Sequence, residues 1–132
     1  MLRSRPACDD SHVPQTVLIV DDHAGFRGFA RRLLEACGYT VVGEAGDGAS
    51  ALAAVEELRP ELVLLDVLLP DTDGFALAER LAANGAGPLV VLTSSREAAD
   101  FGRRLEHYPA HVFIHKDELT SAALAQLAAN RR

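Results

Sequence analysis

Hydrophobic and polar positions alternate along the chain in two rhythms. Five short runs are apolar and β-rich: TVLIV at 16–20, TVVGE at 40–44, LVLL at 62–65, LVVL at 89–92 and VFI at 112–114. The segments between them have helical character. In the first, Phe26, Phe29, Ala30, Leu33, Leu34 and Cys37 follow i, i+3, i+4, i+7 spacing, and Gly38 supplies the stop. The pattern predicts a second helix over 48–58, ending before Pro60, and a third over 74–84, stopped by Gly85 and Gly87. A fourth is expected over 96–107, ahead of Pro109, and a fifth over 118–130.

Each strand-to-strand interval is about one βα unit long. Strands alternating with helices imply a parallel sheet. Runs one, three and four are apolar without alternation, as strands covered on both faces are. The expected fold is α/β: a doubly wound, five-stranded parallel sheet with helices on both faces. It occupies one domain, 16–130, behind a polar and flexible tail, 1–15.

Composition narrows the classes. The chain has 132 residues, 48% hydrophobic and 24% charged, an ordinary globular balance. Formal net charge is −6 and the thirteen basic residues are scattered, so the footprint of a nucleic-acid binder is missing. No apolar stretch approaches the ~20 residues of a membrane span. The first residues, MLRSRPACDDSHVPQ, lack the apolar region of a secretory signal. Two cysteines, Cys8 and Cys37, make no disulfide framework, and Cys37 reads as a small helical hydrophobe. These features point to a cytoplasmic domain.

The candidate chemistry lies where strands end. Strand one runs into Asp21-Asp22, strand three into Asp66, strand four into Thr93-Ser94-Ser95 and strand five into His115-Lys116. Open α/β sheets bind ligands beyond the carboxyl ends of their strands, at the switch point. A strand order 2-1-3-4-5, assumed because right-handed crossovers to both faces favour it, makes strands one and three neighbours there. Asp21, Asp22 and Asp66 then converge. Close carboxylates repel, and a hard divalent cation such as Mg²⁺ relieves the conflict. Lys116 adds a point charge suited to a phosphate oxygen, and Thr93 a hydroxyl donor. Together they describe a phosphoryl-transfer site in which an Asp carboxylate can be the nucleophile.

The motifs VDDH (20–23), LLDVLLPDTDG (64–74), VLTS (91–94) and FIHK (113–116) stand in one order and spacing. On them, residues 16–129 resemble the receiver domain of a two-component response regulator. The resemblance implies the flavodoxin-like order 2-1-3-4-5. It also implies a phosphorylation-controlled signalling switch rather than an enzyme, with Mg²⁺ as cofactor. Asp66 would be the phosphoacceptor, served by a histidine kinase or phosphotransfer protein. Asp22 would ligate the metal directly and Asp21 mostly through water, with Asp66 also in the metal set and the Leu68 backbone carbonyl completing it. Lys116 and Thr93 would hold phosphoryl oxygens. Thr93 and Phe113 would form a switch pair that alters the face of helix four, strand five and helix five. That face would bind an output protein or a second copy of the chain.

The sequence departs from the family in two places. Asp117 follows Lys116 where a proline is usual, so a trans bond is expected there, with the acidic residues of KDEL capping the last helix. Val112 stands where the family tends to have Gly. Plainer readings apply elsewhere. Asp73 looks like the cap of the third helix, and Gly43, Gly46 and Gly48 like a turn rather than a phosphate loop. His107, His111 and His115 read as solvated or packing residues. His23 can tune the acidic pair without a catalytic role. Both a stand-alone receiver and the N-terminal domain of a DNA-binding regulator fit the chain. The competing functions are a degenerate receiver that works without phosphorylation and a Mg²⁺-dependent phosphatase of the haloacid-dehalogenase type. The second needs an Asp-x-Asp pair and a cap, and the sequence offers adjacent aspartates and no room for one.

Overall fold

The computed structural model describes residues 16–82, 87–96 and 112–125. Its strands are β1 (Thr16–Val20), β2 (Thr40–Ala45), β3 (Leu62–Asp66), β4 (Leu89–Ser94) and β5 (Val112–His115). They form one parallel sheet in the order β2-β1-β3-β4-β5. The assumed strand order is therefore the observed one. Among the described residues three α-helices intervene: α1 (Ala24–Ala36), α2 (Gly48–Leu58) and α3 (Gly74–Ala82). The chain is helical again at 121–125.

Strand residues divide by parity between two cores, as a pleated sheet requires. On one face Val17, Ile19, Leu62, Leu64, Val91 and Ile114 pack with Ala30, Leu34 and Leu124. On the other Leu18, Val20, Val63, Leu65, Val90 and Leu92 pack with Ala51, Phe75, Leu77 and Leu81. Helices thus cover both faces. This explains why β1, β3 and β4 are continuous apolar runs: neither side of these strands meets water. No helix among the described residues is long and apolar enough to cross a membrane.

Local signals bound the helices, and the expected stop of the third helix at Gly85 lies outside the described residues. Cys37 closes α1 and is buried, and Gly38 follows it at φ 96°, where a side chain would be strained. Asp47 caps α2 through a bond from the Ser50 N–H at 2.8 Å. Of the three glycines expected in a turn only Gly46 lies in the bend between β2 and α2, because Gly43 pairs with Leu18 inside β2 and Gly48 is already the first residue of α2. Asp73 accepts the Ala76 N–H at 2.7 Å at the start of α3. Two boundaries differ from expectation by more than one residue. Strand β4 runs on through Thr93 and Ser94, because both pair with β5, opposite Ile114 and His115. The last helix starts later than residue 118, since Lys116–Glu118 form a single 3₁₀ turn. The expected acidic cap is replaced by Thr120, whose hydroxyl accepts the Ala123 N–H at 3.1 Å. The flexible tail, the fourth helix, His107 and His111 lie outside the described residues.

Gly74 shows how tightly the β3–α3 connection is folded onto the sheet. A Cβ there would lie 2.5 Å from the Asp66 carbonyl oxygen and 2.8 Å from the Val67 Cα. Alanine normally gains up to about 1 kcal/mol over glycine in a helix. Here rigid backbone must move instead, and overpacking costs typically about 1–3 kcal/mol. Gly74→Ala is expected to destabilise the domain by about 1–3 kcal/mol in urea unfolding. A neutral or stabilising result would contradict this packing.

Candidate functional site

Parallel strands align their carboxyl ends, so neighbours in the sheet become neighbours in the site. Register pairs Val20 with Leu65 and Asp66 with Thr93. Among the described residues, the buried polar side chains are Asp21, Asp66, Thr93 and Ser94. All four stand at this one edge. Asp21 is 0% exposed and Asp66 4% exposed. Lys116 bridges them, its Nζ 2.6 Å from Asp21 Oδ2 and 3.5 Å from Asp66 Oδ2. Backbone donors hold the other oxygens: the His23 N–H on Asp21 Oδ1 at 2.8 Å and the Leu68 N–H on Asp66 Oδ1 at 3.2 Å.

Two buried carboxylates share one ammonium. Burial pushes the Asp66 carboxyl up, the Asp21 charge pushes it further, and Lys116 only partly opposes them, leaving it at about 6. Asp22, His23 and Asp66 open with Leu68, Ser95 and Lys116 onto a pocket of about 240 Å³. Ligand atoms of Asp21, Asp22, His23 and Asp66 all lie within 4.8 Å of one another, so this group could hold a metal ion. The donor set is dominated by carboxylate oxygens, which suits a hard divalent cation. The Thr93 Oγ1 is buried and has no hydrogen-bond partner among the described residues.

The remaining expected residues are placed as follows. Leu68 is 47% exposed on the pocket wall. Phe113 is half-buried, opposite Leu92 in β4, and packs against the core on the α2–α3 side. The Lys116–Asp117 peptide bond is trans, as expected. The Asp117 N–H, which a proline would lack, donates to His115 Nδ1 at 3.0 Å. His115 Nε2 in turn meets the Ser95 carbonyl oxygen at 3.0 Å. This residue ties the β4 and β5 loops together, a packing role of the kind expected for it.

Several contributors escaped the sequence. Phe26 lies under Lys116, whose Nζ is 4.5 Å from the ring centroid. Arg27 donates to the Asp21 carbonyl oxygen at 2.6 Å and to Glu44 at 3.0 Å. Asp71 accepts the Gly48 and Ala49 N–H groups at 2.7 and 3.1 Å, pinning the β3–α3 loop to the start of α2. The helical spacing around Phe26 and Arg27 signalled core and surface, and nothing local marked their distant partners.

The architecture defines a class: a doubly wound α/β domain with an acidic pocket at its switch point. The chain belongs to the response regulator receiver domain family, whose model matches residues 17–128. It is therefore a receiver of two-component signalling. It is similar to the transcriptional regulatory protein PdtaR of Mycobacterium tuberculosis, 42% identical over 64% of this chain and 42% of that protein. A putative transcriptional regulator of Pseudomonas aeruginosa is 38% identical over 85% of the chain and 56% of its own length. The chain thus spans about half the length of the curated relatives it matches. Among solved structures, the receiver domain of the putative response regulator NarL from M. tuberculosis has TM-score 0.74 and 32% identity. That match covers 90% of this chain and 98% of that one. A CheY-like receiver domain from Methylobacillus flagellatus has TM-score 0.78 and 25% identity, covering 91% of this chain and all of that one.

The Asp66 shift carries a sign opposite to that of an ordinary surface aspartate. Its folded value, about 6, lies above the 3.8 of a free aspartate. Folding therefore binds a proton at Asp66 more tightly than unfolding does. This stabilises the domain at acid pH and is lost as pH rises through about 6. With divalent cations chelated, Asp66→Asn is expected to raise stability at pH 7.5 by about 1–3 kcal/mol. The gain should shrink towards pH 4, where the wild-type carboxyl is itself neutral. Thermal melts at several pH values check this, and a gain independent of pH would refute the assignment.

Proposed function

We propose that this receiver is a phosphorylation-controlled switch that accepts a phosphoryl group on Asp66 with the help of a divalent cation, Mg²⁺ being the expected one. The observation that carries the reading is the convergence of Asp21, Asp22 and Asp66 around one lysine, beside an unpartnered buried hydroxyl. Asp22 and Asp66, with Asp21 behind them and the Leu68 carbonyl, would hold the cation. When bound, it supplies the positive charge that keeps Asp66 ionised and offsets charge on the phosphoryl oxygens.

The residues of the chain then have distinct tasks. An Asp66 carboxylate oxygen forms the new bond to phosphorus. The bond from phosphorus to the donor's imidazole nitrogen breaks, and its electron pair stays on that nitrogen. The Leu68 N–H fixes the orientation of the carboxylate. Lys116 leaves its bridge between the aspartates to meet a phosphoryl oxygen, and the ring of Phe26 supports it from below. Thr93 Oγ1 donates to a second oxygen. A buried donor left unsatisfied costs about 1–3 kcal/mol, so this new bond favours the conformation in which Thr93 reaches the phosphoryl group. Phe113, next along the sheet, follows Thr93 and changes the neighbouring surface. The switch is a population shift biased by local charge, and the output is protein contact.

A histidine kinase or phosphotransfer protein is the donor on this reading. Intact mass after incubation with acetyl phosphate tests the chemistry. One added phosphoryl group is expected, lost when Mg²⁺ is removed and absent from Asp66→Ala. No adduct, together with no binding of a beryllofluoride analogue, would reject the proposal and leave a receiver that works without phosphorylation.

A further inference from the structure

His23 occupies a place in the acidic pocket that the proposed phosphorylation does not use. It is the N-cap residue of α1, yet its side chain makes no capping bond to the helix. Its imidazole instead turns towards the carboxylates. Nδ1 lies 3.0 Å from Asp22 Oδ1 and 3.3 Å from Asp21 Oδ1. The ring is otherwise 73% exposed, so it can rotate without disturbing the core.

These separations have a physical meaning. Ligands at right angles around an octahedral ion, with bonds of about 2.1 Å, stand about 3.0 Å apart. The Asp22 oxygen and the His23 nitrogen already hold that spacing, and the four candidate ligand atoms fit within 4.8 Å. Oxygen-only sets suit Mg²⁺, whereas imidazole favours the borderline transition metals.

We infer that His23 is a metal-selectivity residue, whose Nδ1 joins the carboxylates as a ligand and shifts the pocket's preference from Mg²⁺ towards ions such as Co²⁺ and Zn²⁺. The inference rests on the reading of the pocket as a cation site. Its rival is that an imidazolium merely offsets the negative charge of Asp21 and Asp22. The two make opposite demands. A counter-charge competes with every cation, while a ligand helps one class of cation.

Calorimetric titration of the full chain with MgCl₂ and with CoCl₂, for wild type, His23→Ala and His23→Gln, separates them. Loss of an outer partner alone costs roughly 10–100-fold in metal affinity, so loss of a ligand is expected to cost at least about tenfold. The ratio of Co²⁺ to Mg²⁺ affinity should fall at least about tenfold in both variants, and the visible absorption of bound Co²⁺ should change. Glutamine keeps a polar side chain there, so agreement between the variants excludes a packing effect. An unchanged ratio would overturn the inference, as would a rise in both affinities together. Wild type that binds Mg²⁺ with no dependence of the ratio on His23 removes the inference alone. Wild type that binds neither ion removes the cation site itself.

Discussion

The rest of the structure depends on two carboxylates held out of water against a single ammonium. Asp21 and Asp66 are almost fully buried, and Lys116 is the cation that reaches both. Desolvation costs several kcal/mol for each ion, and one pairing partner cannot offset two such costs. The sheet makes the arrangement tolerable by locking its geometry. Strands β1, β3 and β4 are buried on both faces, and parallel register aligns their ends, so the carboxylates cannot separate without unpacking a core. Two backbone N–H groups take up one oxygen of each. What remains is a surplus of negative charge in a rigid frame. Burial first, and then that surplus, raise the Asp66 carboxyl, and the clustered carboxylates could hold a cation.

A rigid sheet does not by itself order the loops that carry Asp22, Leu68 and Lys116. Each of those loops is held by a polar clasp. The β1–α1 loop is held by Arg27, which reaches the Asp21 carbonyl while Glu44 holds the guanidinium, with Arg31 on the other oxygen of Glu44. The β3–α3 loop is held by Asp71 at the start of α2 and by the close approach of Gly74 to the Asp66 backbone. The loop after β5 is held by His115, which touches both Ser95 and Asp117. Exposed ion pairs contribute little on their own. A bond from a guanidinium to the backbone of a buried site residue is different, because it fixes the chain and not only two side chains.

The division between what the sequence discloses and what it hides follows from these two levels. Asp21, Asp66 and Thr93 are legible because a charged or hydroxyl residue closing an apolar run has no reason to be there except a shared site at the strand ends. Strand order needed more, since periodicity cannot say which strands are neighbours. The clasps were not legible. Asp71 and Gly48 are 23 residues apart, and Arg27 and Glu44 are 17 apart, with no local pattern linking either pair. The late start of the last helix was hidden for a related reason. Asp117 and Glu118 satisfy the rules for a helix start, but Thr120 does too, and the His115–Asp117 bond consumes the earlier position in a 3₁₀ turn.

The same surplus of charge orders the events of signalling on the proposed reading. Phosphorylation replaces the single charge of the Asp66 carboxylate by about two on the phosphoryl oxygens, in a pocket that keeps the Asp21 and Asp22 carboxylates. Transfer without a cation would work against this field, so cation binding belongs before the chemistry. Thr93 is paired with Asp66 in the register of the sheet, and its hydroxyl is buried. On the proposed reading the phosphoryl oxygens are what meets that hydroxyl. The gain of about 1–3 kcal/mol from satisfying that one donor is of the size of a typical coupling free energy, enough to shift a two-state equilibrium some 5- to 150-fold. On the proposed reading, this one hydroxyl at the end of β4, without a partner among the described residues, is sufficient in energy to couple an event at Asp66 to a change at Phe113.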